Sequence, residues 1–189
     1  TYSGSEMTNI YGISSGKEKS VGRSDQVIPG KVFYDPELSV TLPKRTAAAS
    51  AINALAHLVE AAYSPSVNPF TLHQSFEGMR IIMKGLQKLE KEEALTIETN
   101  SNLFLGACFA GKSLSEAEMG LHHKCAHVLG GSYGLDHSSV HTVLLPYVLS
   151  YQWDSLPERI KDQFKEIFNS DSPAQSLLDL IKDLGLPTT

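Results

Sequence analysis

Five histidines, His122, His123, His127, His137 and His141, fall within twenty residues of a 189-residue chain that holds seven in all. Imidazole titrates near neutrality, so it is the usual acid or base and the commonest metal ligand. Such density predicts a site, either a polar pocket for an anion or a metal centre. A further pair, Asn53 and His57, stands four residues apart in an Ala-rich segment, and His123 and His127 repeat the spacing. On a helix, positions four apart share a face, so each pair points at one locus. His137 follows on a Gly-containing loop that brings it back beside them. A divalent metal accepts imidazoles, but the usual site adds a carboxylate or thiolate, and Asn53 is a weak neutral donor. The pattern therefore fits a polar substrate pocket better than a tight metal site.

The neighbours divide by geometry. His122 projects about a quarter-turn from His123, so His123 takes the pocket centre. His141 supports the site from behind or caps a helix, and His73 is a surface residue. Glu116 and Glu118 read as solvated, while Asp136 is near enough to be a ligand or a histidine partner. Ser3-Gly4-Ser5 is a small turn able to offer backbone N–H groups to a phosphate. No Gly-x-Gly-x-x-Gly, Walker loop or Gly-x-Ser-x-Gly elbow occurs, so a complete nucleotide site or a serine hydrolase cannot be assembled from these residues.

The elements that must hold these groups are mainly helical. Residues 8–13 and 18–21 read as a hairpin turning around Ser15-Gly16, and 31–34 as one further strand ended by Asp35-Pro36. Helices are expected from Thr46 to Tyr63, with a cap near Thr46, and from Pro69, capped by Asn68. Others should span Glu93 to Lys112, Glu118 to Leu129 with Gly130-Gly131 as the stop, and Ser139 to Tyr151 bent by Pro146. Two more cover Pro157 to Phe168 and Ser172 to Leu184.

Composition narrows the partners. A net charge of −5, with basic residues scattered among acids, disfavours nucleic acid. Cys108 and Cys125 show no Cys-x-x-Cys spacing and suit a reduced, cytoplasmic protein as packing residues. No apolar run reaches eighteen residues, so a membrane span is not expected, and residues 1–6 lack a targeting pattern.

Taken in order, the Thr-Tyr-Ser-Gly-Ser-Glu-Met-Thr run of residues 1–8, Tyr34-Asp-Pro-Glu-Leu38, Asn53-Ala-Leu-Ala-His57, Leu121-His-His-Lys-Cys-Ala-His127-Val-Leu-Gly-Gly131 and Asp136-His137 resemble the iron-containing alcohol dehydrogenase superfamily. Within it they are most similar to maleylacetate reductases, chiefly through Asn53, the double histidine and residues 4–8. The resemblance implies that residues 1–43 end an α/β nucleotide-binding domain. Residues 44–189 would then be an all-helical domain of the dehydroquinate synthase-like type, cut short at its C-terminus. It implies NADH- or NADPH-dependent reduction of maleylacetate to 3-oxoadipate in aromatic-compound degradation, possibilities that a dicarboxylate pocket of histidines would serve. His57, His123, His127 and His137 would be catalytic, Asn53 and His122 would bind substrate, and Thr1, Ser3 and Ser5 would meet the cofactor. In metal-dependent relatives an Asp and three His hold iron or zinc. Those positions correspond to Asn53, His57, His123 and His137, and the Asn implies work without metal. The alternatives are a metal-dependent alcohol dehydrogenase using His57, His123 and His137, and a non-catalytic helical module. A homodimer is also implied.

Overall fold

A computed structural model describes residues 2, 4–15 and 18–189, with only the backbone of 14, 15, 18 and 19. Two antiparallel strands, β1 (Ile10–Ser15) and β2 (Glu18–Arg23), are followed by seven helices: α1 (Lys44–Tyr63), α2 (Pro69–Lys91), α3 (Ile97–Glu116), α4 (Leu121–Tyr133), α5 (His137–Gln152), α6 (Glu158–Phe168) and α7 (Pro173–Asp183). The mainly helical architecture agrees with the sequence reading. Among the described residues no helix is long and apolar enough to cross a membrane.

Helix α1 is the axis of the helical bundle. Its alanines Ala47, Ala48, Ala51 and Ala54 are buried, and small side chains let α2, α3 and α5 approach closely. Ile52, Leu55, Leu58 and Val59 fill the layer around it with Met79, Ile82 and Leu103. Full burial of each such side chain contributes about 1.5–3 kcal/mol. The expected cap at Thr46 is absent: α1 begins at Lys44 after Pro43, with no side-chain cap. Lys44 instead reaches across to the carbonyl oxygen of Glu90, and to that of Glu92, at the end of α2. The α2 cap is as expected, Asn68 Oδ1 accepting from the backbone N–H groups of Phe70 (2.9 Å) and Thr71 (3.0 Å).

Several boundaries differ from expectation. Helix α3 runs from Ile97 to Glu116 and not from Glu93 to Lys112, because Thr96 caps it by accepting from the Thr99 N–H. Residues 31–34 form no strand: among the described residues the sheet holds only β1 and β2. Tyr34 is held instead by its hydroxyl, which donates to Glu6 at 2.7 Å, and by packing on Phe104. Helix α4 runs through Gly130-Gly131 and ends where Gly134 enters the left-handed region (φ 63°). Two glycines cost roughly 0.8–1.0 kcal/mol each in a helix, too little to stop one packed along α5. Helix α5 begins at His137, not Ser139, because Asp136 caps it by accepting from the Ser139 N–H at 2.8 Å. The Gly16 end of the expected turn lies outside the described residues.

The segment before β1 is fastened to the bundle. The buried Tyr2 hydroxyl donates to Asn100 Oδ1 at 2.6 Å, and burial pushes its pKa up to about 12. Gly4, at φ 73°, brings its backbone against Gly111 of α3, where an added Cβ would stand 2.8 Å from the Gly111 Cα. Only glycine at both places allows that approach.

Candidate active site

A cleft of about 1470 Å3 separates this N-terminal segment and hairpin from α1, the end of α3, α4 and the start of α5. It exceeds the roughly 300–1,000 Å3 of an ordinary small-molecule pocket and has room for a cofactor beside a substrate. Ser5 and Thr8 belong to one wall; Asn53, His57, His123, Lys124, His127 and His137 to the other. The helix-face argument thus holds for both i, i+4 pairs, which α1 and α4 present to the same space. His137 joins them from the first turn of α5 and not from a loop. Its ring lies 6.1 Å from that of His127, while His57 and His123 are 4.7 Å apart.

His122 is placed differently. It is fully buried and outside the cleft wall, its Nε2 lying 3.0 Å from the His141 carbonyl oxygen. His141, also fully buried, packs against it, so the two form the floor beneath His123. His73 is on the surface as expected. Asp136 is committed to capping α5, and Glu116 pairs with Lys112 at 2.7 Å and accepts from Thr71. Thr1 and Ser3 lie outside the described residues. Both cysteines are partly buried free thiols.

Sequence reasoning missed Glu60. Its carboxylate is completely buried in α1, one turn beyond His57, and is aimed at the start of α4. Oε1 accepts the His122 N–H at 2.8 Å; Oε2 accepts the His123 N–H at 3.2 Å and faces His123 Nδ1 at 2.6 Å. Helix α4 has Gly120 at its N-cap and no side-chain cap of its own, so an acid on another helix satisfies its first amides and complements its dipole. Gly120 makes this approach feasible, since a Cβ there would sit 2.9 Å from Glu60 Oε1. The available signal was Asn53, His57 and Glu60 at spacings of four and three on one helical face, an acid in an otherwise apolar run.

Burial governs the electrostatics. It drives His57 well below the ordinary histidine pKa, assisted by the neighbouring His123, His122 and His137. It lowers His122 to about 4 against the opposing hydrogen bond to the His141 carbonyl, and depresses His141 further. For Glu60, burial pushes upward, yet the hydrogen bond and charge of His123 and the His122 amide hold the carboxyl below its usual value. The Glu60 carboxylate therefore takes the proton-bearing Nδ1 of His123 and leaves Nε2 as the unpartnered nitrogen.

The iron or zinc set implied by resemblance does not fit these residues. Asn53 supplies no negative charge to offset a dication among neutral imidazoles. Among the described residues, the group of three whose donor atoms all lie within 4.8 Å of one another is His122, His123 and His141, which shares only His123 with that set.

Residues 47–189 match the model of the Fe-containing alcohol dehydrogenase family, C-terminal. The maleylacetate reductase of Pseudomonas sp. (strain P51) is 38% identical over 189 residues, covering 100% of this chain and 53% of that protein. Among solved structures, maleylacetate reductase from Rhizobium sp. strain MTP-10005 superposes with a TM-score of 0.92 at 33% identity, over 100% of this chain and 53% of that one. An iron-containing alcohol dehydrogenase from Corynebacterium glutamicum gives 0.90 at 34% identity, over 99% and 52%. The chain thus spans about half the length of the relatives it matches.

Proposed function

We propose, from the premise that this chain belongs to the Fe-containing alcohol dehydrogenase family, that the complete protein reduces the carbon–carbon double bond of maleylacetate with NADH or NADPH, giving 3-oxoadipate. The observation that carries this reading is Asn53 in the cleft wall with His57, His127 and His137: a neutral amide at that position adds no negative charge among the imidazoles that would receive a dianionic substrate.

The bound nicotinamide would supply hydride to one alkene carbon, and the residues of this chain would handle the charge and the proton that follow. Negative charge develops on the conjugated oxo group, and donors fixed at that position stabilise it more than mobile water does. His127 and His137, at the open side of the cleft, are suited to hold substrate carboxylates and to deliver a proton to the second carbon. His57, kept neutral by burial, donates a hydrogen bond without adding charge. Asn53 offers its amide as a further donor. Glu60 fixes His123 beneath them. Ser5, on the opposite wall, faces the side from which the cofactor would enter, with Thr1 and Ser3 assigned the same task. The partners in this reading are a small dicarboxylate and a second copy of the protein, in the cytoplasm.

The test is NADH oxidation by the product of the complete reading frame with maleylacetate as substrate. Saturable turnover is expected, falling about 100-fold or more in His127→Ala, the usual contribution of a positioned acid or base. Turnover of simple alcohols that requires added iron, with none of maleylacetate, would replace this reading with a metal-dependent dehydrogenase.

A further inference from the structure

We propose that His122, His123 and His141 form a buried site for a divalent transition ion, zinc above others, lying beneath the Asn53 wall of the cleft and sharing only His123 with it. The proposal does not depend on the reaction assigned above.

The three rings stand in a nearly equilateral triangle. Their centroids are 5.2 Å apart for His122 and His123, 4.9 Å for His122 and His141, and 4.9 Å for His123 and His141, with interplanar angles of 75°, 68° and 72°. Imidazoles sharing one ion at about 2.1 Å and tetrahedral angles place their ring centroids about 5 Å apart, with donor nitrogens about 3.4 Å from one another. The donor atoms here already lie within 4.8 Å, so small side-chain rotations complete the contraction.

The hydrogen bonds around the triangle select the nitrogens that point inward. A metal-bound histidine ordinarily donates its other N–H to a carboxylate or a backbone carbonyl. Both arrangements are present: His123 Nδ1 faces Glu60 Oε2 at 2.6 Å, and His122 Nε2 faces the His141 carbonyl oxygen at 3.0 Å. That leaves His123 Nε2 and His122 Nδ1, together with both nitrogens of His141, buried and without a hydrogen-bond partner. The residues are 6%, 0% and 0% exposed, so solvent does not serve these atoms. A water molecule has two protons and cannot donate to all three residues at once, whereas one cation accepts a lone pair from each. The Glu60 carboxylate supplies negative charge through His123. An all-imidazole set suits zinc, copper or nickel and is wrong for magnesium or calcium, which require oxygen ligands.

Such an ion would join α4 to α5 and hold His123 Nε2 inward, making His123 part of the floor under the substrate and leaving His57, His127 and His137 to touch it.

The complete protein, stripped with a chelator and checked for folding by circular dichroism, is titrated with Co2+, whose visible absorption reports tetrahedral coordination; Zn2+ then displaces it and is counted by elemental analysis. One equivalent is expected, lost or weakened at least 100-fold in His122→Phe and His141→Ala and retained in His137→Ala and His57→Ala. Loss of the equivalent from folded His137→Ala or His57→Ala would overturn the assignment by placing the ion in the cleft. So would a folded wild-type protein that takes up neither Co2+ nor Zn2+. His57 stacks on His123 (4.7 Å) and His137 packs on His141 (4.2 Å), but neither is a proposed ligand, so both cleft variants keep all three ligands and the answer survives even if His141→Ala fails to fold. The readout is stoichiometry, and an absence of maleylacetate turnover does not alter it.

Discussion

Glu60→Gln keeps the shape of a buried side chain and removes its charge, which isolates what the carboxylate does for α4. The two carboxylate oxygens serve four groups: the His122 amide, the His123 amide, His123 Nδ1 and, at 3.5 Å, the Tyr63 hydroxyl. A glutamine has one oxygen, so in either orientation its NH2 faces a backbone N–H that had an acceptor. An orphaned buried donor costs about 1–3 kcal/mol. Removing the negative charge from a helix N-terminus costs up to about 2 kcal/mol in a partly buried setting. Relief from burying a charge offsets part of this, and a net loss of about 3 kcal/mol is expected. For a domain of this size that lowers the melting temperature by about 6–12 °C. Urea unfolding of wild type and variant, with an unchanged slope, is the direct measurement. A loss below about 0.5 kcal/mol would refute the claim that Glu60 caps α4, because surface substitutions alone reach that size. Co2+ affinity should fall in parallel by about 10–100-fold.

Other outcomes follow from the same geometry. In chelator, unfolded His122 binds a proton near its ordinary pKa of 6.5 while the folded residue resists until about 4, so the unfolded state holds more protons across that window. Stability should therefore fall as pH drops from 6.5 to 4, by about 3 kcal/mol for His122 alone. The depressed His57 and His141 steepen the slope. Glu60, an acid held below its usual value, contributes stability above its unfolded pKa and loses it as pH falls through the folded one. A urea midpoint that stays flat between pH 6.5 and 4.5 would contradict this account. Asn53→Asp should raise the KM for a dicarboxylate at least tenfold, equivalent to about 1.4 kcal/mol of repulsion; an unchanged KM in steady-state assays would remove Asn53 from the substrate wall. Asn100→Ala should cost about 3 kcal/mol in thermal melts, since it orphans the buried Tyr2 hydroxyl and the Pro36 carbonyl together; a cost under about 1 kcal/mol would show that the two regroup elsewhere.

Local signals made most of the helical frame legible. Asn68-Pro69 marks the start of α2 because an Asx cap and a first-turn proline act within four residues. The i, i+4 pairs Asn53/His57 and His123/His127 were readable for the same reason, and both line the cleft. What escaped depends on contacts across the chain. Residues 31–34 have strand character but no partner strand, and α4 overrides Gly130-Gly131 because α5 supports it. Glu60 needs the start of α4, 62 residues away, before its burial makes sense. His122 and His141 are united by the packing of two helices, and no spacing rule joins residues nineteen apart on different elements.

The buried phenol of Tyr2 and the Gly4–Gly111 contact bear on how the cleft can breathe. Both fasten the stretch that carries Ser5 to α3, the helix packed against α1, so the two walls of the cleft share one mechanical frame. Swinging the wall outward would tear a sequestered hydroxyl from its acceptor and separate two backbones in van der Waals contact. Motion is directed instead to strands β1 and β2 beyond Asn9, which carry Ile13 and Val21 into solvent. Amide exchange should accordingly be slow at the N–H of Met7, which bonds to the Gly4 carbonyl, and fast along β1, placing the compliant joint one strand away from the chemistry.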